Sequence, residues 1–410
     1  MDVSKITLEI FSKLEKKWLM EWESTGNLWA SPTSTADKKK ARNKKTCILS
    51  IDGGGGIKGL AAGQALIHLE DCIKSATSNP HASIPDYFDL IAGTGIGGVL
   101  AAMLTAADAS GRPLFSARAA VEYLCSKRRH LFRPAGLLLR PRRRRFSGRS
   151  FEGVLRDALH GPDGGALTLR NTCKPLLIPC YDLNTSAPFV FSRADAVESP
   201  SFDFELWSVC RATAATPGLF SPCKLASVDG KTACVAVDGG LVMNNPAAAA
   251  VTHVLHNKRD FPAVAGVEDL LLLSLGGGPP PRQRPAAARE CSERAVMEIV
   301  LDGVSETVDQ LLANAFCWNP TDYIRIQANG WETEREEDEA DVEGLRRAGG
   351  WMLKERAVES LPFGGKRLLT ESNGERIEVL VRRLVACGFA SNNPLLPLKE
   401  TAIRKLSDGR

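Results

Sequence analysis

CILSIDGGGGIKG, residues 47–59, decides how the chain is read. A short apolar run, 47–51, passes through Asp52 into four consecutive glycines, and residues 57–73 then repeat their apolar positions at helical intervals. Strand, glycine loop and helix follow in that order. Consecutive glycines let backbone amides turn toward one point, and the N-terminus of the following helix adds positive potential there, so such a loop suits an anion. Two anions compete: a nucleotide phosphate, or the oxyanion that develops when an ester carbonyl is attacked. A phosphate loop of the GxxxxGK[ST] form needs Ser or Thr after its lysine, whereas Lys58 is followed by Gly59. Gly54, Gly56 and Gly59 do match the GxGxxG spacing of a dinucleotide loop, with Asp71 downstream, and that alternative stays open on this motif alone.

The same order recurs at once. YFDLIAG (87–93) reads as a strand, TGIGG (94–98) as a turn and VLAAMLTAA (99–107) as a buried helix, which points to an α/β architecture with a largely parallel sheet. Further strands are expected at 174–183, 187–192, 233–240 and 269–278, and helices at 204–215, 246–257, 297–313 and 376–386. The stretch 88–107 has about the length of a membrane-spanning helix, but its four glycines fit strand, turn and helix better.

Gly93-Thr94-Gly95-Ile96-Gly97 stands where a nucleophile elbow, G-x-S-x-G, belongs: small residues flank a tight turn that lifts one side chain above the sheet. Its middle residue is Gly95, and the plainer reading is a glycine turn for close helix–strand packing. Asp238-Gly239-Gly240 leaves the strand at 233–238. An aspartate there is placed to accept a proton or orient a partner, or else to close an Asx-turn. Glycine loop, elbow and DGG in this order are far more specific than any one of them.

Together with WSVCRATAATPGLFSP (207–222) and VDGGLVMNNP (237–246), these motifs resemble the patatin-like phospholipase family over roughly residues 47–257. The resemblance implies a three-layer α/β fold whose central, largely parallel sheet is flanked by helices. It also implies a site. The amides of Gly53, Gly54, Gly55 and Gly56 would form the oxyanion hole, with Lys58 as its basic residue, and Asp238 would be the dyad acid acting as general base. Gly93, Thr94, Gly97 and Gly239 would support them, and Gly95 is a degenerate nucleophile position. The departure at Gly95 itself resembles a plant subgroup of patatin-like proteins, which implies lipid acyl hydrolysis of phospholipids and galactolipids. Glycine has no atom that can attack a carbonyl. We therefore expect either slow hydrolysis by a water that Asp238 activates, or a fold that binds lipid without reaction. Thr94 is a second candidate nucleophile, one step from the elbow tip.

The rest of the chain sets the context. At 410 residues, with 44% hydrophobic and 24% charged residues, it has ordinary globular usage. The organisation expected is an N-terminal amphipathic helix and linker (1–46), an acyl hydrolase core (47–257) and a C-terminal helical extension packed on it (258–410). Within the first segment, residues 3–22 carry the amphipathic stripe and 23–45 the linker. A net charge of +4 gives no argument for nucleic acid, and no specific nucleic-acid partner is expected. Between Lys127 and Arg149 lie ten basic residues and no acid, an exposed loop suited to anionic headgroups and hence to peripheral contact with phospholipid and galactolipid membranes. Eleven scattered cysteines without a CxxC pair fit a reduced, cytoplasmic compartment. No cofactor is expected, nor a metal: His253 and His256 lack further ligands, and no calcium-type loop accompanies the motifs. An acidic run at 332–343 reads as solvated surface, and the tail shows no recognisable chemistry.

Overall fold

The computed structural model describes residues 45–53, 61–134, 146–161, 164–276, 293–327, 342–361 and 365–386. The N-terminal helix expected at 3–22, its linker up to residue 44, Gly54 to Gly59 of the glycine loop, residues 135–145 of the basic stretch and most of the acidic run lie outside them.

In chain order the elements are β1 (Thr46–Ile51), α1 (Ala61–Thr77), β2 (Leu90–Gly93), α2 (Gly95–Thr105), α3 (Ala117–Ser126), α4 (Arg128–Leu131), α5 (Gly148–Ala158), β3 (Leu176–Asp182) and β4 (Ala187–Ser192). There follow α6 (Arg193–Glu198), α7 (Leu206–Thr213), β5 (Cys223–Ala226), β6 (Ala233–Asp238), α8 (Gly240–Met243), α9 (Ala247–His256) and β7 (Leu270–Leu275). The last are α10 (Glu293–Ala315), β8 (Tyr323–Ile326), α11 (Val342–Lys354), β9 (Arg356–Leu361), β10 (Gly365–Ser372) and α12 (Asn373–Ala386).

The main sheet has the order β5-β6-β3-β2-β1-β7-β8, with β4 on β3. The run β3-β2-β1-β7-β8 is parallel, whereas β4 and β6 pair antiparallel with β3, and β5 with β6. Two of the parallel strands, β7 and β8, come from beyond residue 257.

Both faces of the parallel strands are covered, which is why β1 and β7 read as nearly continuous apolar runs instead of alternating. Alternate residues still feed different layers. Cys47, Leu49 and Ile51 of β1 pack with α1, α2, α3, α5 and α7, while Ile48 packs with Ala247, Ala250 and Val254 of α9, with Leu312 of α10 and with Phe316 just beyond it. The result is a helix–sheet–helix sandwich, in which each fully buried Leu or Ile contributes about 1.5–3 kcal/mol over exposure. Helix α2 is buried on every side, as its sequence GIGGVLAAMLT requires. Among the described residues no helix is long and apolar enough to cross a membrane, and residues 88–107 form β2, the turn and α2.

The four antiparallel or late strands β5, β8, β9 and β10 escaped the sequence reading. β5 and β8 are only four residues long, too short for a period-2 pattern to stand out. β9 and β10 form a partly exposed two-stranded hairpin whose sequence alternates weakly.

Candidate active site

Adjacent parallel strands deliver their C-terminal ends to one edge of the sheet, where ligands of open α/β folds bind. β1 ends at Asp52 and Gly53, β2 at the elbow, and antiparallel β6 brings Asp238 to the same region by pairing it with Cys180 of β3.

The elbow turn keeps a left-handed backbone at its tip. Gly95 has φ +55°, a conformation that costs a residue with a side chain roughly 1–3 kcal/mol. Its amide donates to Thr213 Oγ1 at 3.0 Å, and the same hydroxyl donates to the carbonyl of Pro179 at 2.7 Å. Two residues on, Gly97 lies so close to β1 that a methyl group there would collide with the carbonyl oxygens of Ile51 and Asp52. Gly93, at the end of β2, backs onto Gly97 and Gly98, and Gly239 onto the carbonyl of Pro179 in the same way. The turn is tight, as close helix–strand packing requires, and its tip has a left-handed backbone.

Asp238 is buried, and both carboxylate oxygens are held. Oδ2 accepts from Thr216 Oγ1 at 2.5 Å and Oδ1 from the Gly240 amide at 2.8 Å. Its own amide donates to Ala215 at 3.1 Å. Burial pushes the carboxyl above the usual carboxylate range, while the Thr216 and Gly240 hydrogen bonds pull the other way. Among the described residues no histidine bonds to this carboxylate, which leaves it capacity for further donors.

Short tethers bind the three motifs to one another. The Gly53 amide donates to the carbonyl of Asn244 at 2.8 Å, and Thr94 Oγ1 donates to the carbonyl of Met243 at 2.7 Å. Thr94 is fully buried, so its hydroxyl proton is committed to that contact. Asn244 Oδ1 is buried beside Gly53 and Gly240 and finds no donor among the described residues, while its Nδ2 donates to Leu301 at 3.1 Å. Gly54, Gly55, Gly56 and Lys58 lie outside the described residues.

The root of the glycine loop rests on an ion pair that sequence reasoning missed. Asp52 is gripped by Arg325 of β8, with Nη1 to Oδ1 at 2.8 Å and Nη2 to Oδ2 at 2.5 Å, and Ser305 of α10 donates to Oδ2 at 2.8 Å. Arg325 Nη1 also donates to Ser274 at 2.7 Å, and Ser50, Ser274 and Arg325 stand in one register across β1, β7 and β8. Burial works against the guanidinium charge, but the Asp52 carboxylate outweighs it and holds the Arg325 pKa well above normal. The tail, without recognisable chemistry as sequence, therefore supplies the cation that holds Asp52 at the end of β1. Thr213 and Thr216 were also missed as site residues, although they lie in the segment 207–222 that carries the resemblance; their only signal is two hydroxyls three apart where a helix ends.

His253 and His256 line an open polar pocket at the far end of α9 with Arg193, Asp195 and Asp260, away from these motifs. His253 meets Asn257 at 3.3 Å there.

Helix–sheet–helix layers with the first glycine of the loop, a tight glycine turn and a buried DGG aspartate at one sheet edge define an α/β protein of the patatin architecture. The chain belongs to the patatin-like family: the Patatin-like phospholipase family matches residues 49–251. It is 56% identical, over the whole of both chains, to "Probable inactive patatin-like protein 9" of Arabidopsis thaliana. It is 43% identical to "Patatin-like protein 7" of the same plant, covering 97% of this chain and 84% of that one. It is 41% identical to that plant's "Patatin-like protein 6", covering 99% and 89% respectively.

Proposed function

We propose that this protein is a slow acyl hydrolase of membrane glycerolipids, in which Asp238 activates a water for direct attack on the ester and no acyl-enzyme forms. The observation that carries this reading is the carboxylate of Asp238, buried without a histidine and held by Thr216 and Gly240 on the sheet edge that also carries the elbow. A general base works best when its pKa approaches the working pH, and burial moves Asp238 in that direction. Each of its oxygens accepts one described hydrogen bond, so a water proton can still be taken. The loop Gly53–Gly56 would receive the oxyanion, with Lys58 adding positive potential and Gly93, Thr94, Gly97 and Gly239 holding the turns. Gly95, as in the plant subgroup this sequence resembles, contributes no nucleophile. A site of this kind without its serine retains about 10³ to 10⁴ over water in serine hydrolases, so turnover should be slow.

The membrane partner in this reading is a phospholipid or galactolipid surface, contacted peripherally from the cytoplasmic side. Arg129, Arg133 and Arg149 are exposed at the two described ends of the basic stretch 127–149. Each Lys or Arg near an anionic surface adds about 1 kcal/mol of attraction.

Fatty-acid release from phospholipid and galactolipid vesicles by the purified chain tests the proposal. Wild type should release fatty acid slowly, Asp238→Ala should abolish release, and no serine should be labelled by a fluorophosphonate. Full activity in Asp238→Ala would refute it. A second reading, a lipid-binding protein without turnover, is favoured by the missing attacking atom at position 95 and by the relative named "Probable inactive patatin-like protein 9". Vesicle binding with no Asp238-dependent release would select it.

A further inference from the structure

Helix α1, which follows the glycine loop, carries His68 and Cys72 four residues apart, on one face. Helix α12 packs along α1, and Glu378 reaches the same point from it. Cys72 Sγ lies 3.6 Å from His68 Nε2, and one ligand atom from each of the three residues lies within 4.8 Å of the other two. His68 and Cys72 are half-buried and Glu378 is exposed.

We propose that His68, Cys72 and Glu378 form a binding site for a divalent transition metal of the zinc type, with a fourth position open to water. The geometry carries it. Tetrahedral zinc with bonds of about 2.3 Å to sulfur and 2.0–2.1 Å to imidazole nitrogen separates those two ligand atoms by about 3.6 Å, which is the spacing His68 and Cys72 already have. Cys72 Sγ also lies 4.0 Å from His68 Nδ1, beside the ring, so the imidazole must turn to aim Nε2 at the ion, and the exposed Glu378 carboxylate must rotate to close the site. The donor set is selective: one thiolate, one imidazole and one carboxylate suit zinc, whereas calcium and magnesium prefer oxygen ligands throughout. Asp71, beside Cys72, adds a second carboxylate to the local field, and burial together with Glu378 and Asp71 holds the uncomplexed thiol up at about 11. Binding therefore releases the thiol proton to solvent as the sulfur–metal bond forms. A bound ion would clamp α12 to the helix that carries the glycine loop.

The sequence shows no zinc pattern because the third ligand lies some three hundred residues downstream and reaches the site only when α12 docks.

The test uses the full-length, tag-free chain stripped with a chelator and titrated with ZnCl2 by calorimetry, and separately with CoCl2 by absorption. One equivalent of zinc should bind and raise the melting temperature, and cobalt should give a thiolate charge-transfer band. Cys72→Ser should remove that band, and Glu378→Gln and His68→Asn should each weaken zinc by about tenfold or more, while Cys317→Ser and His256→Asn leave it unchanged. Glu378 is exposed, so its substitution does not threaten the fold. The proposal is overturned if zinc shows no saturable binding, if the cobalt band survives Cys72→Ser, or if Glu378→Gln binds zinc as wild type does.

Discussion

Thr216 donates a 2.5 Å hydrogen bond to Asp238, while Thr213, one turn earlier on the same segment, holds the amide of Gly95. One stretch of chain therefore sets both the aspartate and the elbow tip. Moving either threonine should disturb the two halves of the site differently.

Thr216→Val removes a donor that favours the ionised carboxylate, so the Asp238 pKa should rise further than burial already takes it. The rising limb of the pH–rate profile for fatty-acid release should shift to higher pH, with activity below that limb reduced by about tenfold or more, since hydrogen bonds to charged groups are worth about 1.5–3 kcal/mol. Thr216→Ser should restore the wild-type profile. An unshifted limb would separate Asp238 from the rate-limiting proton transfer.

Gly95→Ser places a side chain at φ +55°. It should lower stability by roughly 1–3 kcal/mol in denaturant titration while adding the missing nucleophile. Hydrolysis should rise by on the order of 10² or more, because loss of a serine nucleophile costs about 10⁶ elsewhere, and a fluorophosphonate should now label residue 95. Labelling without a rate gain would mean that the oxyanion loop does not serve this position.

Asp238→Asn tests the same carboxyl through stability. A carboxyl whose folded pKa is raised above its unfolded value contributes stability that is fully present below the unfolded pKa and lost as pH rises through the folded one. The asparagine variant escapes that loss. It should melt higher than wild type, with a larger gap at pH 8 than at pH 4; a gap that narrows with rising pH would contradict the raised pKa.

Arg325→Met leaves Asp52 as a buried charge without its cation. Unfolding free energy should fall by about 3–5 kcal/mol, and the double variant Asp52→Asn, Arg325→Met should recover much of it. Comparable losses in the single and double variants would show that the ion pair is not what anchors the root of the glycine loop.

Much of the architecture is legible in the sequence. The strand at 187–192 was read with its observed bounds, and the helices at 204–215 and 246–257 differ from α7 and α9 by a residue or two at each end. The two helices carry a helical period and lie against Pro217 or Pro246, and the strand is an apolar run closed by Ser192, which are local signals. β8 offered no such signal: YIRI is four residues with an arginine among them, and it joins the sheet by pairing with β7 and burying Ile324 and Ile326, which carries Arg325 onto Asp52. The same holds for α1 and α12, whose amphipathic faces are readable separately while their pairing is not.

What the sequence determined by itself was the order of strand, glycine turn and helix, the glycine at position 95 and the aspartate leaving a strand into glycines, because turn chemistry and hydrophobic period act between near neighbours. Only the tertiary structure decided that Thr216 and Gly240 hold Asp238, that Arg325 secures Asp52, and that His68 and Cys72 meet Glu378. Those groups lie between two and more than three hundred residues apart, and the distant ones are brought together by burial of apolar faces, which fixes where a helix or strand docks without regard to the polar side chains it carries along.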